Sequence, residues 1–214
     1  MMKFVVQLIL LLPLFSTAQQ SLRLFYDRPA QVWTEALPIG NGRLGAMVFG
    51  ELSNELIQLN ESTLWSGGPV SDNVNPESPK YLSQVREAIF AGDYKKAAEL
   101  CKKMQGVYSQ SYLPLGDLKI NQEFGSTSSK SYYRDLDIQN AVATTRFSID
   151  GNTYTRQIFS SAPDQVIVIR ISSNKANNLT LNISTTSPLR YTKSTPGANI
   201  LSLNGKAPTQ DDPN

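Results

Sequence analysis

The side chains able to move protons in this chain are carboxylates, tyrosines and lysines, because its 214 residues contain no histidine. That removes imidazole acid–base chemistry, histidine-based nucleophile triads and histidine–zinc sites together. The single cysteine, Cys101, excludes an intrachain disulfide. It falls in a helical pattern on the apolar face, so it reads as a small buried hydrophobe rather than a nucleophile. Glu35, Glu51, Glu55, Glu61 and Asp72 could in principle supply an acid–base pair, but nothing in their spacing selects two that face each other. Each reads as a surface or turn carboxylate. No catalytic residue, metal site or cofactor is therefore assigned. The strongest binding constellation is the stretch from Asn60 to Pro69. Trp65 offers a flat apolar face of the kind that stacks on a pyranose, while Asn60 and Glu61 offer hydrogen bonds to hydroxyls. Gly67-Gly68-Pro69 would form the loop that carries them. The alternative is that Trp65 packs in the core or against a further domain.

The elements that must hold these residues follow from the apolar pattern. Leu22 to Phe25, Val32-Trp33, Leu44 to Phe49 and Leu56 to Leu59 are short apolar segments divided by turn signals, and they predict strands. Gly40-Asn41-Gly42 suits a tight turn with positive φ; close backbone approach to a ligand is the other reading. The period then changes. Ser78-Pro79 predicts an N-cap and a first-turn proline, after which Tyr81, Leu82, Val85, Ala88 and Ile89 recur at helical spacing. Gly92-Asp93 predicts the end of that helix and the cap of a second, with Tyr94, Ala97, Ala98, Cys101 and Met104 on one face. Beyond Leu115 the β pattern returns. Ala141 to Ile149 and Thr153 to Phe159 flank Asp150-Gly151, a hairpin signal. Val166 to Ile171 reads as a strand buried on both faces, and Leu179, Leu181 and Ile183 as a strand with one buried and one wet face. About ten strands with a helical hairpin inserted predict a mainly β, two-sheet sandwich.

The N-terminus has its own logic. Lys3, the apolar run from Phe4 to Phe15 and then Ser16-Thr17-Ala18 predict a secretory signal over residues 1–18, cut after Ala18. The run is too short for a spanning helix, which needs about 20 apolar residues. The mature chain is thus expected in the periplasm or outside the cell, with no membrane contact after cleavage. A net charge of +2, with both signs scattered, predicts no nucleic-acid partner. Asn60-Glu61-Ser62, Asn178-Leu179-Thr180 and Asn182-Ile183-Ser184 match the glycosylation acceptor pattern, a weak signal in so polar a chain.

Three stretches carry a resemblance: Trp33 through Gly50, with Leu37-Pro38-Ile39-Gly40-Asn41-Gly42-Arg43-Leu44-Gly45 at its centre; Ile57 through Pro69, with Asn60-Glu61-Ser62-Thr63-Leu64-Trp65; and Tyr112-Leu113-Pro114-Leu115-Gly116-Asp117-Leu118. Together with Tyr133 to Asp137 and Ala162 to Val168, in that order, they resemble the N-terminal domain of glycoside hydrolase family 95, the inverting α-L-fucosidases and related α-L-galactosidases. The resemblance implies a β-supersandwich over residues 19–214 in front of an (α/α)6 barrel, with the catalytic carboxylates in the barrel. It implies fucosylated or galactosylated glycans as ligands. It also implies that these residues stop before the sandwich is finished, and that the chain alone is inactive. Inverting hydrolysis needs two carboxylates about 6.5–9.5 Å apart, and none can be carried over here. A stand-alone secreted carbohydrate-binding module is the alternative.

Overall fold

The computed structural model describes residues 22–67, 75–106, 110–125 and 129–209. The expected signal segment, Asp72, Gly68 and Pro69 lie outside them. In chain order, β1 (Arg23–Tyr26), a 3-10 turn at Trp33–Glu35, β2 (Leu37–Gly40), β3 (Leu44–Val48) and β4 (Asn54–Glu61) come first. A 3-10 turn at Ser78–Tyr81 then leads into α1 (Leu82–Phe90) and α2 (Tyr94–Met104). The rest is strand: β5 (Gly116–Gln122), β6 (Ser131–Asp137), β7 (Val142–Ile149), β8 (Asn152–Ser161), β9 (Val166–Ser173), β10 (Leu181–Thr186), β11 (Tyr191–Gly197) and β12 (Ile200–Gly205). One antiparallel sheet runs β1-β6-β7-β8-β9, the other β10-β5-β4-β3-β2, and β11-β12 forms a separate ribbon. The chain is a mainly β sandwich with an inserted helical hairpin.

Local chemistry sets the turns. Between β2 and β3 the Asn41 carboxamide oxygen accepts from the backbone N–H groups of Arg43 (3.0 Å) and Leu44 (2.7 Å), and Gly42 takes φ of 93°. Between β7 and β8, Asp150 and Gly151 both have positive φ (51° and 76°), the mirror-image turn that matches the strand twist. The two sheets meet through Leu37, Ile39, Ala46, Val48, Ile57 and Ile120 on one side and Leu136, Ala143 and Ile158 on the other. At one end the core is polar. Arg156, buried, donates to the Glu55 carboxylate at 2.8 Å and to Gln122 Oε1 at 2.9 Å, and also to the carbonyls of Glu51 and Leu52. Glu55 in turn accepts from the Gly50 N–H at 2.8 Å. Burial pushes the Glu55 carboxyl up to about 7 against the pull of Arg156.

Several expectations need correction. Val32-Trp33 is not a strand: Glu35 N–H bonds to the Val32 carbonyl (3.0 Å) and Ala36 N–H to that of Trp33 (3.1 Å), closing a 3-10 turn. The strand there is β2, whose alternating Leu37 and Ile39 are interrupted by Pro38 and Gly40. Twelve strands are described rather than about ten. Strand β9 is not buried on both faces, because it is an edge strand and only Ile167, Ile169 and Ile171 pack on the core. On β10, also an edge strand, Ile183 is 51% exposed. In the hairpin, Pro79 sits in the first turn, but Ser78 lies inside the 3-10 turn instead of capping the helix. Gly92 and Asp93 act as expected, with the Asp93 carboxylate accepting from Lys96 N–H at 3.0 Å. The buried face of α2 is Ala97 and Leu100 with Met104 alongside, against Val85 and Ala88 of α1. Tyr94, Ala98 and Cys101 face solvent, because among the described residues α2 packs on α1 and on Tyr81 of the preceding 3-10 turn, and those contacts select the neighbouring stripe.

Candidate functional site

Strand β4 ends at Glu61, and the chain then turns tightly: Leu64 N–H bonds to the Glu61 carbonyl (3.1 Å). The Glu61 carboxylate holds that turn. It accepts from the backbone N–H (2.8 Å) and hydroxyl (2.7 Å) of Thr63, while its other oxygen meets Arg43 Nη1 at 3.4 Å. The Thr63 hydroxyl, followed by Thr63 N–H and Arg43, holds this carboxyl below its usual range, so it is ionised at neutral pH. Arg43 comes from the β2–β3 turn and also donates through Nε to Gln165 Oε1 at 2.6 Å. Glu61 is thus an anchor between two loops.

Beyond the turn, Trp65 forms a β-bridge with Tyr112. The rings meet edge to face at 5.1 Å and 76°, and the indole N–H donates to the Ser62 carbonyl at 3.0 Å. The Tyr112 hydroxyl donates to Asn60 Oδ1 and lies 3.2 Å from the Glu61 carbonyl. Trp65 remains 44% exposed, so it is neither core nor free: one edge is fixed and part of the ring faces water. Beside this pair the outer face of the β2–β5 sheet carries a hollow of about 460 Å³, lined by Trp33, Met47, Gln58, Asn60, Tyr112 and Asp117 among others. Its size is that of a small-molecule site, which typically occupies about 300–1,000 Å³. Trp33 is placed there from the opposite sheet. Arg134 of β6, buried, donates to the carbonyls of Arg28 (2.7 Å) and Glu35 (2.8 Å), fixing the 3-10 turn that presents the indole.

Of the three residues singled out from sequence, only Asn60 lines the hollow; Trp65 and Glu61 connect to it through Tyr112, Trp65 by its ring contact and Glu61 by its carbonyl. Trp33, Gln58, Tyr112 and Asp117 were not singled out. Tyr112 and Trp33 were both inside the stretches that carry the resemblance, but the pairing of Tyr112 with Trp65 is a long-range contact without a local signal. The chemistry available is an aromatic wall with amide and carboxylate groups able to bind hydroxyls. Among the described residues no cluster of carboxylates, cysteine or histidine is grouped to hold a metal ion. Of the acceptor-pattern asparagines, Asn60 is engaged by Tyr112, Asn178 donates to the Tyr154 hydroxyl at 2.6 Å, and Asn182 is exposed on β10.

The chain is similar to known proteins along most of its length. Over 189 residues it is 38% identical to alpha-L-fucosidase 2 of Arabidopsis thaliana, covering 86% of this chain and 22% of that protein. Over 151 residues it is 38% identical to the probable alpha-fucosidase A of Aspergillus niger, covering 67% of this chain and 18% of that one. The corresponding protein of Aspergillus oryzae is 33% identical over 147 residues. The chain therefore spans about a fifth of the length of these curated relatives. Residues 24–214 match the model of the glycosyl hydrolase family 65 N-terminal domain, and the chain belongs to that family of glycoside hydrolase N-terminal domains.

Proposed function

We propose that this chain is the non-catalytic N-terminal sandwich of an exported, inverting α-L-fucosidase-type hydrolase of family 95, supporting an (α/α)6 barrel outside these 214 residues. The observation that carries the reading is the 38% identity to a protein named alpha-L-fucosidase over 86% of the chain, confined to about a fifth of that relative. The carboxylates support it. Glu61 is tied to Thr63 and Arg43, Glu35 to Arg28 and the Gln31 N–H, and Glu55 is buried under Arg156. None of these three is placed to protonate a leaving oxygen, a contribution that typically amounts to about 10²- to 10⁴-fold in rate. In this reading Asn60, Glu61 and Trp65 with Tyr112 and Trp33 shape the rim that meets a fucosylated or galactosylated glycan, or the barrel that holds it. The expected outcome is that the purified chain does not turn over 2′-fucosyllactose and that adding the separately produced barrel restores activity. Turnover by the chain alone, abolished by one carboxylate-to-amide change, overturns it. The half-exposed Trp65–Tyr112 pair favours a second reading, a secreted carbohydrate-binding module. Sugar binding that survives without any barrel and is lost in Trp65→Ala would support that instead.

A further inference from the structure

The face of the β1-β6-β7-β8 sheet that points away from the core is a second place where this chain can hold a ligand. Pairing sets its side chains in rows. Tyr133, Arg146 and Thr155 lie side by side across β6, β7 and β8, and Asp135, Thr144 and Gln157 form the next row. Arg23 and Phe25 of β1 lie beside Asp137 and Asp135. The rows enclose a shallow groove of about 650 Å³. Its floor is polar and rigid: Asp135, buried although it points outward, accepts from Arg23 at 3.1 Å, and Arg23 also reaches Asp137 at 3.3 Å. Tyr133 lines the groove, and Phe25, 57% exposed, adjoins the lining with its ring 5.0 Å from that of Tyr133.

Two features point to the class of ligand. The lining charges balance, Arg23 and Arg146 against Asp135 and Asp137, so the groove has no net attraction for an anion or a cation. Its available groups are hydrogen-bonding ones. The Gln157 carboxamide makes no hydrogen bond among the described residues, and Arg146 only a long one, 3.5 Å to Thr155 Oγ1. An uncharged ligand rich in hydroxyls, with an apolar ring face for Phe25 and Tyr133, matches that combination.

We infer that this outer face is an accessory binding groove for a neutral oligosaccharide, separate from the Trp65–Tyr112 side of the molecule. The inference does not rest on which sugar the proposed hydrolase acts on, nor on whether the Trp65 rim touches glycan. The test is isothermal titration of the protein with lactose, cellotetraose and 2′-fucosyllactose. Gln157→Ala and Arg146→Ala are compared with Lys95→Ala on the exposed face of α2, and side-chain N–H resonances of Arg146 and Gln157 are followed by NMR in the unsubstituted protein. The expected result is millimolar or tighter binding of at least one sugar, shifts in both resonances, and roughly tenfold weakening in each outer-face variant but not in Lys95→Ala. No heat and no shift with any of the three sugars would falsify the groove. So would binding that is indifferent to both Gln157 and Arg146. The NMR arm needs no substitution, so a variant that fails to fold leaves the question decidable.

Discussion

At the scale of single residues, the least replaceable side chain in the described core is Arg156. It is buried with its carboxylate partner and saturates acceptors from three loop and strand positions, although its Nε and the Gln122 amide nitrogen find no partner. Removing one member of a buried pair leaves an uncompensated charge, and Arg156→Met is expected to cost about 3–5 kcal/mol at pH 8. The loss should be smaller at pH 5, where Glu55 can take up a proton. Its folded value is raised to about 7 from an ordinary 4.5. A raised value means that the stability tied to this group is complete below about 4.5 and is lost as pH climbs through about 7. Urea unfolding of both proteins at the two pH values checks this; an equal loss at both would contradict it. None of this was legible in the sequence. Glu55 reads there as a surface or turn carboxylate just before a strand, whereas it lies within β4 and is buried, because the arginine that meets it comes from a strand of the other sheet.

At the scale of elements, what could be read from the sequence was what neighbouring residues decide among themselves. Asn41-Gly42, Asp150-Gly151 and Gly92-Asp93 all form the expected turns or caps, because their bonds close within a few residues. Trp33, Cys101 and β9 were misread because a 3-10 turn held by Arg134, a helix face chosen by its partner and an edge position are decided by distant contacts. The same distinction separates two glycines. Gly42 has positive φ and open space around an added Cβ, so Gly42→Ala should cost about 1–2 kcal/mol from backbone strain alone. Gly50 also has positive φ, but a Cβ there would lie 2.6 Å from the Tyr132 hydroxyl and 2.9 Å from Arg134 Cδ. Gly50→Ala must also displace the hydroxyl that donates to the Gly50 carbonyl at 2.6 Å, adding roughly 1 kcal/mol or more. Thermal unfolding of the two variants side by side measures the difference, and equal losses would show that the Tyr132 contact yields freely.

On the scale of the whole molecule, the helical hairpin stands apart. Its core is its own, Val85 and Ala88 against Ala97 and Leu100, while Phe90 is 88% and Tyr94 71% exposed at its tip. Edge strands β9 and β10 add half-covered apolar side chains and unpaired backbone groups. Exposed apolar surface beyond a few hundred Å² usually marks an interaction site or an aggregation liability. The chain alone is therefore expected to self-associate at tens of micromolar in light scattering, and Phe90→Ser with Tyr94→Ser to reduce that association. A monodisperse unsubstituted chain would count against this. The aromatic rim has a further consequence, for optical measurement. The chain has two tryptophans and both sit partly in water, Trp33 at 58% exposure lining the hollow with Tyr112 and Trp65 at 44% packed edge-on against Tyr112. No indole reports on the sandwich interior, so intrinsic emission should already be red-shifted in the native protein and move little on unfolding. Whatever settles over the hollow, glycan or protein, should instead shift the emission to the blue, so the molecule carries its own unlabelled sensor for the occupancy of that face.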